Sequence, residues 1–138
     1  MSLVLDSSVL VEVVLGTSKG GRARPLLLSH SGQLHIPELA VVEVTSALRG
    51  LVQGEVVTKG RAKLALDDFL RFPAKRWPMD QLMERVWTLR DTLTAYDATF
   101  IALAEALGSV FVTFDERLAR GCEGKARCRV QLITFRED

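Results

Sequence analysis

Cysteine and histidine are scarce in this 138-residue chain, two of each, and no apolar stretch approaches the roughly 18 uninterrupted positions that a membrane helix needs. Each shortage excludes something. Two cysteines cannot build a disulfide framework, and with His30 and His35 both far from them in sequence a zinc site has no support. Cys122 and Cys128 flank residues 123–127, a span that a disulfide closes only if the geometry allows, so two reduced thiols are expected. A leader is lacking as well. Met1 to Asp6 carry no basic region and too short an apolar run for a secretory signal, which points to a soluble, cytoplasmic chain whose mature fold begins at once. Repeats, linkers and low-complexity tracts are absent. Net charge is only +1, which alone singles out no partner.

What is present is an ordinary globular composition, 48% hydrophobic and 25% charged, in a length that suits one domain over 1–138 with a core of its own. Periodicity and punctuation predict strands alternating with helices. Residues 2–5 read as a buried strand ending at Asp6, followed by a helix through 9–15 that stops near Gly16, although the valines of that segment also suit a strand. A helix over 22–30, a strand over 34–36 closed by Pro37, and helices over 38–52 and 57–71 come next. Residues 75–77 read as a weak strand and 79–92 as a fifth helix. Thr94 and Asp97 have the spacing of a capping box, opening a helix to Leu107 that Gly108 ends. The clearest strand is 110–114. After Asp115 come a short basic helix over 116–120, a loop through 122–129 and a last strand over 130–135. Such alternation belongs to the α/β class, a mostly parallel sheet covered on both faces, in which ligands bind beyond the carboxyl ends of the strands.

Four acids interrupt stretches that are otherwise almost wholly apolar: Asp6, Glu43, Asp97 and Asp115. Each has a bland explanation. Asp6 and Asp115 can cap the helices that follow them, Asp97 can be the acid of the capping box, and Glu43 can reach water past small alanines. Yet burying a carboxylate without a partner is unfavourable enough that a chain normally avoids it, and Glu43 has no basic residue at helical spacing. Asp97 opens a helix whose only other charge up to Leu107 is Glu105. The joint occurrence of the four at strand ends and helix starts points to one crevice and to a divalent metal. With these four set aside, 13 acidic residues face 18 basic ones, an excess of five that suits an exterior meeting a polyanion.

The segments Val4-Leu5-Asp6-Ser7-Ser8-Val9-Leu10, Pro37-Glu38-Leu39-Ala40-Val41-Val42-Glu43-Val44, Tyr96-Asp97-Ala98-Thr99-Phe100-Ile101-Ala102-Leu103-Ala104 and Thr113-Phe114-Asp115-Glu116-Arg117-Leu118 carry a resemblance. In order and spacing the chain resembles the PIN-domain ribonucleases, and among them the VapC toxins of bacterial and archaeal toxin–antitoxin systems. The resemblance covers essentially the whole chain and implies a three-layer α/β/α fold around a five-stranded sheet of order 3-2-1-4-5. It further implies Mg2+-dependent hydrolysis of RNA phosphodiesters, with Mn2+ as a substitute and tRNA or another structured RNA as substrate. Asp6, Glu43 and Asp97 would be the core acids, Asp115 the fourth, and Ser8 and Thr113 the hydroxyls that orient carboxylates or water. A homodimer and a VapB-type antitoxin covering the pocket are implied as partners. Some members carry a further acid three residues after the fourth; Leu118 stands there in this chain, which puts a fully occupied second metal site in doubt.

Charge physics agrees with such a site. Two carboxylates about 4 Å apart repel by roughly 4 kcal/mol at an effective dielectric near 20, so a bare cluster stays partly protonated or splays apart. Oxygen ligands in an open, hydrated site select Mg2+ or Mn2+ over Zn2+. Arg117 and Arg120, close to Asp115, are candidates to hold the RNA backbone, with Lys125, Arg127 and Arg129 extending the basic segment. His30 and His35 lack a placed partner and read as packing or surface residues. A haloacid-dehalogenase-type phosphatase would need an acid where Ser8 stands, and a receiver domain an acidic pair near Asp6. The remaining alternative is a degenerate PIN module that binds RNA or a protein without cutting.

Overall fold

Leu3, Val4 and Leu5 are all buried, with no alternation, because the strand they form lies mid-sheet with helices over both of its faces. The computed structural model describes residues 1–135, so the last three residues of the expected domain span lie outside it. This strand, β1 (Leu3–Leu5), pairs in parallel with β2 (Leu34–Pro37) on one side and β4 (Val110–Thr113) on the other. β3 (Lys75–Trp77) and β5 (Val130–Leu132) form the edges, and the order is β3-β2-β1-β4-β5, all parallel. That is the expected order.

Helices α1 (Ser7–Leu15), α2 (Ser18–Ser29), α3 (Leu39–Gln53) and α4 (Lys59–Leu70) pack together on one face. On the other, α6 (Ala95–Leu107) lies against β1, β2 and β4, with α5 (Met83–Thr88) packed on it. A short α7 (Glu116–Gly121) follows β4 and packs beside β5. Phe69, Phe100 and Phe111 are the largest fully buried side chains, and no helix among the described residues is long and apolar enough to cross a membrane.

Several boundaries differ from expectation, five of them for a clear physical reason. α2 begins at Ser18 rather than 22, although Gly20 and Gly21 are poor helix formers. Thr17 caps it by accepting from the Gly20 N–H at 3.0 Å, and Gly20 lets α2 press on α1: a methyl group there would sit 2.2 Å from the Glu12 carbonyl oxygen. The expected helix over 79–92 is a 3-10 turn at Asp80–Leu82 followed only by α5, because the chain tightens through Leu89 N–H to Val86 O and Arg90 N–H to Trp87 O. That turn sinks Leu93 into the core and frees Thr94 to cap α6. The last strand stops at Leu132 instead of 135, since its partner β4 ends at Thr113 and Ile133 N–H makes the final bond to it. β4 itself ends before Phe114, whose N–H meets the Ser8 hydroxyl instead. α4 starts two residues later than expected, where Thr58 accepts from Arg61 N–H.

Candidate active site

Because Leu5 is in register with Val112, the carboxyl ends of the two central strands lie side by side, with Asp6 leaving β1 and Asp115 following β4. Asp6 is 7% exposed and makes no side-chain cap to α1, so the capping explanation of this residue fails. Its Oδ2 instead accepts from Ser8 Oγ at 2.8 Å and from Thr113 Oγ1 at 2.7 Å. Each hydroxyl is itself aimed by a main-chain donor: Asp115 N–H to Thr113 Oγ1 at 2.9 Å, and Phe114 N–H to Ser8 Oγ at 3.3 Å. A hydroxyl has one proton, so accepting from an amide leaves that proton for the carboxylate. Oδ1 stays outside this clasp.

Glu43 sits on α3, half-buried, and its Oε1 accepts from Ser7 Oγ at 2.9 Å. Ser7, which lies between Asp6 and Ser8 at the first position of α1, joins the candidate site through this bond, a contact that no sequence pattern signals. Asp97 is half-buried in the first turn of α6, where its N–H donates to Thr94 Oγ1 at 3.2 Å. Asp115 is exposed and does cap α7, accepting from Leu118 N–H at 3.0 Å, as its bland reading expects.

Electrostatics ties the acids together. Burial pushes the Asp6 carboxyl above its ordinary value; the bonds from Thr113 and Ser8 oppose that, and the charge of Asp115 adds to it. Glu43 is raised by burial and by the charges of Asp6 and Asp97, against the Ser7 bond. Asp97 is raised by burial and by the charges of Asp6 and Asp115. All four therefore share one field. They do not share one ligand shell as they stand: among the described residues no three Asp, Glu, His or Cys side chains are grouped to hold a metal ion.

The two arginines separate. Arg117 lines a cavity of about 300 Å3 together with Asp97 and Asp115, whereas Arg120 lines a different one of about 460 Å3 and faces Glu116 at 3.5 Å. Of the two arginines expected to hold the backbone, only Arg117 stands beside the acids, because α7 turns positions 117, 118 and 121 toward them and 119 and 120 away. The other expected bystanders are engaged elsewhere. His35 Nδ1 accepts from the Trp77 indole N–H at 2.9 Å, and burial with the nearby Lys75 pushes its imidazole down, toward the neutral form. His30 Nδ1 lies 2.9 Å from the Leu26 carbonyl oxygen. Cys122 and Cys128 are free thiols, each pushed up to about 11 by burial first.

The sequence family described as PIN domain matches residues 3–124. The chain belongs to the PIN domain family. Within that family, Ribonuclease VapC9 of Mycobacterium tuberculosis is 36% identical over 131 residues, covering 95% of this chain and 98% of the relative. Ribonuclease VapC12 of the same organism is 35% identical over 118 residues, 86% of this chain and 90% of the relative. Among solved PIN domain folds, the DNA-bound VapBC of Salmonella typhimurium superposes with a TM-score of 0.72 at 14% identity, covering 97% and 99% of the two chains. The order β3-β2-β1-β4-β5 with helices on both faces is thus the PIN domain architecture, and the clasped Asp6 stands at the centre of it.

Proposed function

We propose that this PIN domain is a divalent-metal-dependent endoribonuclease that hydrolyses RNA phosphodiester bonds at the crevice of Asp6, Glu43, Asp97 and Asp115, as the toxin of a type II toxin–antitoxin pair. The observation that carries the reading is the Asp6 clasp: a nearly buried carboxylate held by two directed hydroxyls, raised by the charge of Asp115 and itself raising Glu43 and Asp97. Relatives named as VapC ribonucleases support the reaction class.

The donor set suits a hard cation, being all oxygen and carrying more negative charge than the chain offsets locally. Asp6, Glu43 and Asp97 would hold Mg2+, or Mn2+ in its place, with Asp115 as the fourth acid. When bound, the dication supplies Lewis acidity toward water and phosphoryl oxygens. The chain's own residues set direction. Ser8 and Thr113 fix which Asp6 oxygen faces the crevice, Ser7 fixes Glu43, and Arg117, which lines a cavity with Asp97 and Asp115, would meet the phosphate. RNA as substrate, a VapB-type antitoxin over the crevice, a second copy of this chain and a cytoplasmic site of action complete the proposal on family grounds.

The test is cleavage of cellular RNA by purified protein with Mg2+. Asp6→Asn and Asp97→Asn are expected to lower the rate at least about a hundredfold with an unchanged circular-dichroism spectrum. Cleavage at the wild-type rate by either variant rejects the assignment. One observation favours the alternative, a PIN module that binds without cutting: the acids are not grouped as a ligand shell. Titrating Mg2+ and Mn2+ decides between them, since a cation that binds only the folded state raises Tm. A flat Tm favours the non-cutting module.

A further inference from the structure

The cavity that Asp97, Asp115 and Arg117 line on its crevice side has further walls, in residues 92–94 and on α7, that the catalytic roles leave unused. It lies between the 92–94 turn and α7, with a volume of about 300 Å3, at the small end of the range typical of small-molecule sites. We propose that it is a subsite for one unpaired nucleotide adjoining the bond that is cut, and that its walls set the base preference there; this rests on the ribonuclease reading. A duplex cannot enter so small a space, whereas a splayed base can, and unpaired bases are where RNA sequence is commonly read.

The lining divides by chemistry. Arg117 is the cation, exposed and without an ion-pair partner among the described residues, so its guanidinium is available to a phosphate. Thr94 Oγ1 already accepts from the Asp97 N–H, which leaves its O–H to donate to an acceptor on a base edge, and the Thr92 hydroxyl lies on the same wall. Leu93 and Leu118 are buried and give the cavity an apolar floor. Gly121 sets its depth: a methyl group added there would meet Leu93 Cδ2 at 3.4 Å, so any larger side chain must take up cavity space. The walls are fixed in place, since Leu93 N–H bonds to Leu89 O, Thr94 caps α6 and Asp115 caps α7.

The experiment measures kcat/KM of the full chain with Mg2+ against salt, on a pool of unstructured oligoribonucleotides, and sequences the cut ends. Arg117→Gln is expected to raise KM about tenfold and to flatten the slope of log(kcat/KM) against log[salt] by about 0.7, one single-strand phosphate contact. Arg120→Gln, on the far side of α7, keeps the wild-type slope. Thr92→Val and Gly121→Val are expected to change base preference at one position adjoining the cut and at no other; Thr92 is exposed, so its isosteric replacement tests the site without threatening the fold. An unchanged slope for Arg117→Gln, or unchanged preference in both other variants, overturns the subsite while leaving the ribonuclease reading intact. If the wild type cuts no RNA with Mg2+ or Mn2+, that reading fails by itself. Binding of the same pool to Asp6→Asn, with and without Arg117→Gln, then decides the subsite: tenfold weaker binding upholds it and equal binding overturns it.

Discussion

Ser7 reaches from the first turn of α1 to Glu43 on α3 and has no other hydrogen-bond partner through its hydroxyl among the described residues. Hydrogen bonds to charged groups contribute about 1.5–3 kcal/mol, but this one joins half-buried groups at a site mouth, so its loss should be felt more in positioning than in stability. Ser7→Ala is therefore expected to lower kcat about tenfold, with Tm falling by no more than a few degrees; equal activity in wild type and variant would show that Glu43 needs no support. Nothing in the sequence separated Ser7 from Ser8, because which hydroxyl serves which acid depends on how α1 leaves the sheet. The acids themselves were legible, since carboxylates in apolar surroundings are anomalous at any position. Their spread was not, because it depends on side-chain rotamers that no pattern encodes.

Elements whose apolar pattern is interrupted by no more than one glycine, such as α3, α4 and α6, fall within two residues of the positions that periodicity predicts. α2 resisted because two glycines in a row lower its propensity, while Gly20 serves packing, a use visible only once α1 is beside it. Gly20→Ala brings a methyl group against the Glu12 carbonyl and must force the two helices apart. A loss of about 1–3 kcal/mol is expected from overpacking, read as a lower midpoint in urea at unchanged slope. Stability equal to wild type would mean that α2 can slide without consequence. Gly21, with open space around it, is the matched control, and Gly21→Ala should be neutral or better. α5 teaches the converse: its stretch has helical composition up to 92, yet the need to bury Leu93 ends it early.

For the whole molecule, the order of the strands and the position of the crevice followed from alternation and family resemblance, because parallel sheets leave few alternatives for where a ligand can bind. The crevice also sets how the fold responds to pH. Asp6, Glu43 and Asp97 are raised above their ordinary 3.8 to 4.5, so the stability linked to them is full below those values and is lost as pH rises through the raised ones. Glu105 acts oppositely. It is partly desolvated, but its bonds from Arg85 and Arg127 prevail and lower it, so its contribution is present above 4.5 and lost as pH falls through the lowered value. Metal-free protein should accordingly lose Tm as pH rises from 4.5 toward neutrality, and Asp6→Asn should lose less. A wild-type Tm that rises across that interval contradicts the raised carboxyls.

The two amides behind the clasp offer a further consequence. Phe114 and Asp115 donate through Ser8 and Thr113 to the same oxygen of Asp6, so any change in that oxygen's charge passes along both bonds to adjacent main-chain nitrogens. In a nuclear magnetic resonance titration their signals should move together as the carboxylate protonates or a cation arrives, giving the molecule a two-channel indicator of its own site that needs no label, substrate or partner.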